Sequence, residues 1–255
     1  MTESSYAGLR GIVLGVANDH SIAAAVVRAL HASGARLVAS CLNDKAEPYA
    51  RQVTEPLGVT LLQCDVERPG ALERFVNGAV QHLGGFDFVV HSIAWAPLQD
   101  LHGPVMDSSR EGFARAMSIS CHSFAELARL AVPHMPAGGS LVTMTYHGAE
   151  EVVPHYGLMG PVKAALESMV RYLAAELGPR NIRVHAVSPG PVPTRAAYGI
   201  EDFEALMQEV AQKSPLRRLV TPDEIAQLTR FLCGPESSGM TGQTIYVDAG
   251  YFMMA

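Results

Sequence analysis

Tyr156 and Lys163 are the residues whose types and spacing most directly offer acid–base chemistry. They bound the run Tyr156-Gly157-Leu158-Met159-Gly160-Pro161-Val162-Lys163. Seven residues make about two helical turns, so on a helix the two side chains share one face. An ammonium beside a phenol favours the phenolate and lowers its pKa towards the range useful to a general acid. A solvated helix face could carry the same pair by chance, so the meaning of the spacing depends on the elements around it.

Those elements alternate from start to finish. Short β-branched runs predict strands at 11–16, 36–41, 59–64, 86–91, 140–145, 182–187 and 244–247. Helical patterns begin near Ser21, Asp44, Pro69, Ser108, His155 and Pro222. This alternation implies an α/β fold, a doubly wound parallel sheet of about seven strands with helices on both faces. No repeat or linker interrupts it, so 1–255 reads as one domain. About thirty residues separate the strand at 182–187 from the helix at Pro222, more than an ordinary connection needs. They include a polar helical stretch, and a lid is expected over roughly 195–212, after a strand end where such sheets bind ligands.

The first strand runs into Gly15-Val16-Ala17-Asn18-Asp19-His20-Ser21-Ile22-Ala23, with a helix following at once. A glycine there permits a tight turn, and the helix N-terminus offers free N–H groups to a pyrophosphate, as in Rossmann-type folds. Ser21 suits a helix N-cap whether or not a nucleotide binds. At the second strand end, Leu42 stands where an Arg or Lys would greet a 2′-phosphate, which favours NADH over NADPH; Lys45 is the residue that could reverse this. Asp65 has two open readings, an acceptor for the adenine amino group and a strand-end cap.

Composition excludes several classes. Apolar residues make up 48% and the net charge is −6, with no long basic run, so no nucleic-acid partner is expected. Four cysteines lie far apart without a CxxC pair, which suits reduced thiols in a cytoplasmic protein. The opening MTESSYAGLRG lacks the plan of a signal peptide, and no apolar run approaches the ~20 residues that span a bilayer. Ten histidines form no HExxH, so no metal is expected, and His91, His102, His122, His134 and His147 read as packing or surface residues. No GxSxG elbow is present.

Taken with these motifs, the chain resembles the short-chain dehydrogenases/reductases and, among them, the divergent NADH-dependent enoyl-acyl-carrier-protein reductases. The resemblance rests on GVANDHSIA at 15–23, CDV at 64–66, HSIAWAP at 91–97 and TYHGAEEVVPHYGLMGPVKAALE at 145–167. It continues through GPVPT at 190–194, AAYGIEDF at 196–203 and TGQTIYVDAGY at 241–251. The seven-residue Tyr–Lys spacing and Tyr146, ten residues before Tyr156, mark this subgroup.

The resemblance implies roles for individual residues. Gly15, Ser21 and Ile22 would line the pyrophosphate; Leu42, Asp65 and Val66 would surround the adenosine, with Ile93 beside it. Lys163 would hold the nicotinamide ribose and polarise the Tyr156 phenol, while Val192 and Thr194 would close over the cofactor. Ala96 would approach the substrate, with Trp95, Met159, Tyr146, Phe203 and Met207 as apolar walls; ordinary packing is the other reading of Met159 and Met207. Tyr146 is read as shaping the acyl channel rather than moving a proton. A homotetramer is implied too, with the C-terminal GYFMMA as a contact.

Four departures stand out: Pro189 for a usual alanine, Pro193 for a basic residue, Gly157 for asparagine, and an acidic lid where basic residues would greet an acidic carrier protein. Arg195, Lys213, Arg217 and Arg218 are the nearby candidates to compensate. Three functions follow in order. The first is reduction of a trans-2-enoyl thioester on carrier protein or coenzyme A. The second is carbonyl or alcohol chemistry, for which Thr143, thirteen residues before Tyr156, would serve. The third is a non-catalytic cofactor-binding regulator.

Overall fold

The computed structural model describes residues 6–194 and 202–254. Seven parallel strands run in the order β3-β2-β1-β4-β5-β6-β7. They are β1 (Arg10–Leu14), β2 (Arg36–Cys41), β3 (Thr60–Gln63), β4 (Phe88–His91), β5 (Gly139–Met144), β6 (Ile182–Pro189) and β7 (Gln243–Val247). The doubly wound parallel sheet expected from the alternation is present.

Alternation along the strands divides the core in two. Ile12, Leu14, Val89, Leu141 and Val184 join one buried cluster, while Val13, Phe88, Val90, Val142 and Val187 join the other. Successive strand side chains point to opposite faces, so an apolar run feeds both layers at once. Helices α3 (Ala71–Leu83), α6 (Ser123–Ala131) and α7 (Met159–Leu177) cover the first face through Phe75, Phe124, Leu127 and Leu166. Helices α1 (Ile22–Ala32), α2 (Glu47–Thr54) and α9 (Pro222–Cys233) cover the second through Val26, Leu30, Val53 and Leu232.

The remaining helices are α4 (Leu98–His102), α5 (Arg110–Met117) and α8 (Phe203–Lys213). The periodicity shows no sign of α4, and it merges α5 and α6, which are joined through a π-helical segment, Ser118–His122. Of the expected lid, 195–201 lies outside the described residues, Arg195 and Glu201 with it; the described part is α8. No helix among the described residues is long and apolar enough to cross a membrane, and none of their His, Cys, Asp and Glu side chains group to hold a metal.

Side-chain caps fix the starts of α1, α5 and α9. Ser21 accepts from the Ala24 amide at α1. At α9, Thr221 and Glu224 form a reciprocal capping box, and Glu224 also accepts two bonds from Arg218 at 2.7 and 2.8 Å. The Arg218 guanidinium, with the Thr221 amide, holds the Glu224 carboxyl down to about 2, below its ordinary value of 4.5. A depressed carboxyl stabilises the fold above its unfolded pKa and loses that contribution as pH falls through the folded one. Glu224→Gln should therefore lower the urea midpoint at pH 7, and the gap to the parent should narrow as pH is taken below about 4.5. Denaturation series across that range check this; a gap independent of pH would refute it.

Candidate active site

The carboxyl ends of the strands surround a cavity of about 670 Å³. At one end Gly15 turns the chain out of β1 with φ +99°, and its amide donates to Ser40 Oγ at 3.2 Å. A Cβ on Gly15 would lie 2.2 Å from the Ser92 carbonyl oxygen, so the chain after β4 approaches where only glycine fits. Ser21 and Ile22 bring the amino end of α1 to the same wall, and the first amides of a helix lack intrahelical partners. Leu42, Asp65, Val66 and Ile93 line the cavity from the ends of β2, β3 and β4.

The other end is built from β5, α7 and the chain after β4. Tyr146, Tyr156, Met159, Lys163, Trp95 and Ala96 line it, with Val192, Thr194 and Phe203 beside them. Met207 does not. Phe203, Leu206 and Val210 form the inward stripe of α8, and Met207 sits at its flank, half-buried. An i, i+4 reading of Phe203 and Met207 misplaces the stripe by less than one helical step.

Tyr156 is not on a helix. α7 starts at Met159, and Tyr156 sits in the turn before it, between His155 at φ +60° and Gly157 at φ +41°. The shared helix face expected from the spacing is absent, because two left-handed residues cannot continue a right-handed helix. The turn packs the Tyr156 ring edge-on to Tyr146, ring centres 5.0 Å apart.

The electrostatics also differ from the expectation. Lys163 is buried, and its Nζ donates to the Met144 carbonyl at 2.8 Å. Burial pulls its pKa down to about 8, against upward pulls from Cys121 and Glu167. The Tyr156 phenol is pushed up rather than down, by burial first and then by Tyr146 and Glu167. Burial also raises Tyr146, whose hydroxyl is enclosed without a hydrogen-bond partner among the described residues. Tyr156 thus presents a neutral phenol to the cavity as a hydrogen-bond donor, while Tyr146 lines it with its ring and keeps its hydroxyl enclosed.

Thr143 does not reach this space. It is fully buried, with its Oγ1 3.0 Å from His91 Nδ1 and 3.3 Å from the His91 carbonyl oxygen. His91 Nε2 lies 2.9 Å from Ser123 Oγ, and burial, reinforced by Lys163, lowers the imidazole to about 3.

A family model described as enoyl-(acyl carrier protein) reductase matches residues 15–252. The chain belongs to this family. An enoyl-acyl-carrier-protein reductase (NADH) from Rhizobium meliloti is 42% identical over 248 residues, 96% of this chain and 91% of that protein. Its counterpart from Aquifex aeolicus is 39% identical, covering 97% and 92%. Two solved enoyl-acyl-carrier-protein reductases superpose closely. That of Anaplasma phagocytophilum, in complex with NAD, gives a TM-score of 0.94 at 40% identity, covering 99% and 97% of the two chains. That of Bacillus cereus, with NADP+ and an indole naphthyridinone, gives 0.96 at 38%, covering 99% of each.

Some groups in this enoyl reductase family member carry no usable sequence signal. The Met144 carbonyl is backbone, and Ser40 reaches Gly15 from another strand. Glu167 carries a signal that can be read: it lies four residues after Lys163 and is buried, accepting from Thr145 Oγ1 at 2.7 Å.

Gly157 shapes the Tyr156 turn. A Cβ there would stand 2.4 Å from the Leu101 carbonyl oxygen, besides the strain of positive φ. Gly157→Ala should cost about 1–3 kcal/mol. Gly178, helical at φ −52° with open space around it, is the control. Gly178→Ala should be neutral or stabilise by up to about 1 kcal/mol. Chemical denaturation of the two variants decides, and equal midpoints would refute the strain at Gly157.

Proposed function

We propose that this chain reduces a trans-2-enoyl thioester, carried by an acyl carrier protein, with NADH as reductant. One observation carries the choice of reaction: the Tyr156 phenol lines the cavity beside Lys163 and the Tyr146 ring, whereas Thr143, the hydroxyl that carbonyl chemistry would use, is enclosed against His91. The names of the relatives support the same reading.

The residues fit a dinucleotide. Gly15 leaves a cradle that a Cβ would fill, and the amino end of α1 suits a pyrophosphate. Leu42 and Asn43 line the ribose end, with Lys45 as its basic group; Asn43 Oδ1 is occupied by the Lys45 and Ala46 amides. One solved relative holds NAD and another NADP+, so the NADH preference rests on Leu42. When bound, the nicotinamide supplies the hydride that reaches the β-carbon of the thioester.

The chain's own groups do the rest. Negative charge grows on the thioester oxygen, and the Tyr156 hydroxyl, kept protonated by its raised pKa, donates to it. Such a donor lowers the barrier by roughly 3 kcal/mol. Lys163 anchors the ribose, and Tyr146, Met159, Phe203, Trp95 and Ala96 wall the acyl channel. Helix α8, with Phe203 inward, is the described part of a lid that excludes water.

Asp202 and Glu204 are exposed on α8, while Lys213 pairs with Glu209 and Arg218 with Glu224. Among the described candidates Arg217 is left to attract an acidic carrier, and coenzyme A thioesters are the alternative substrates. We also propose a homotetramer, since Met253 and Met254 leave apolar surface exposed beside the β7 edge. Four buried free thiols suit the cytoplasm.

NADH oxidation should proceed with crotonyl thioesters and not with acetoacetyl thioesters; turnover of acetoacetyl alone would overturn the reading. NADH should outperform NADPH, and equal turnover would point to Lys45. Lys163→Ala should lose NADH affinity and turnover together, and in the parent NADH affinity should fall as pH rises through about 8, where the lysine loses its charge. Titration of NADH binding against pH in both proteins tests the anchor; unchanged affinity in the variant would remove it.

A further inference from the structure

Trp95 is the single tryptophan of the chain, and its main chain and side chain are held from two directions. Ser120, fully buried in the π-helical segment, accepts from the Trp95 amide at 2.8 Å and donates to the Trp95 carbonyl at 2.8 Å. The Arg115 guanidinium lies over the indole, 4.4 Å from the ring centre. Arg115 in turn donates to both carboxylate oxygens of Glu67, at 3.0 and 3.2 Å. Glu67 lines the cavity two residues beyond Asp65. A planar guanidinium can make two in-plane bonds while presenting its face to a ring, which an ammonium cannot do.

We propose that Arg115, fixed by Glu67, is a positioning residue that sets acyl-substrate selectivity by holding the Trp95 indole as an outer wall of the cavity. The proposal rests on the reductase reading for its substrate, but not for the contact itself. Only the backbone of Trp95 is set by Ser120. The indole is more than a third exposed and takes its direction from Arg115. An exposed cation–π contact and an exposed ion pair add little to stability, so their use here is directional.

The tryptophan itself supplies a readout independent of activity. Acrylamide quenching of its fluorescence should rise in Arg115→Ala and in Glu67→Gln. Arg115→Lys should resemble Arg115→Ala, since charge without the planar fork does not restore the contact. With trans-2-enoyl thioesters of increasing chain length, Arg115→Ala should raise KM about two- to fivefold for the longer acyl chains. Its kcat should stay within about twofold of the parent. In a Trp95→Ala background the Arg115→Ala effect on KM should vanish. Unchanged quenching in Arg115→Ala, or a KM effect that persists without the indole, would overturn the proposal. A parent protein inactive on every enoyl thioester would overturn the reductase reading and the selectivity claim, while the quenching comparison would still decide whether Arg115 holds the indole.

Discussion

A lysine charge kept in a dry place is the constraint on which the rest of the site depends. Lys163 is withdrawn from water, and a buried ammonium survives only with partners. Its hydrogen bond goes to the Met144 carbonyl at the end of β5. One helical turn on, the Glu167 carboxylate opposes the loss of its charge and accepts from Thr145, the next residue along the same chain. Helix α7 therefore grips the end of β5 at two successive residues. Tyr146 follows directly, and its ring meets that of Tyr156 edge-on. The positions of both phenols descend from the means by which one cation is accommodated.

The sheet makes that accommodation available. A parallel sheet collects the carboxyl ends of its strands at one edge, and the order 3-2-1-4-5-6-7 reverses its winding between β1 and β4. At such a reversal the flanking connections leave in opposite directions and open a crevice. Gly15 and the Ser92 carbonyl mark its closest approach. The cavity extends to either side of that contact, with the β2 and β3 ends to one side and β5, α7 and α8 to the other.

Much of this is legible in the amino-acid sequence. The strands are, because buried parallel strands are short apolar runs with β-branched residues, and their ends lie within two residues of expectation. Residues in motifs are legible too, since Gly15, Tyr146, Tyr156 and Lys163 have side chains, or lack them, for local reasons. The geometry between them is not. Gly157 announces a left-handed position, but His155 does not, and the pair moves Tyr156 off the helix that spacing suggests. Spacing also gives the wrong sign for the phenol, because it registers a neighbouring lysine and cannot register burial. Glu67 and Arg115 stand forty-eight residues apart and meet only because the sheet brings the end of β3 beside α5.

The enclosure of Thr143 shows how packing selects between reaction classes that share a Tyr–Lys pair. The Ser123 hydroxyl hydrogen is engaged with the Ile119 carbonyl at 2.6 Å, so towards His91 Ser123 can act only as an acceptor. His91 Nε2 must then carry the proton, which leaves Nδ1 as the acceptor of the neutral ring. The Thr143 hydroxyl has two internal acceptors within reach, Nδ1 at 3.0 Å and the His91 carbonyl at 3.3 Å. Thr143, His91, Ser123 and the Ile119 carbonyl form one internal chain, none of its members free to turn outward. It ends on the π-helical segment whose Ser120 holds Trp95, so the hydroxyl is withdrawn from the chemistry by the same segment that shapes the cavity wall. With that donor engaged internally, the Tyr156 phenol stays on the cavity wall, and a phenol held neutral by burial can stabilise developing charge by donation without first giving up its proton.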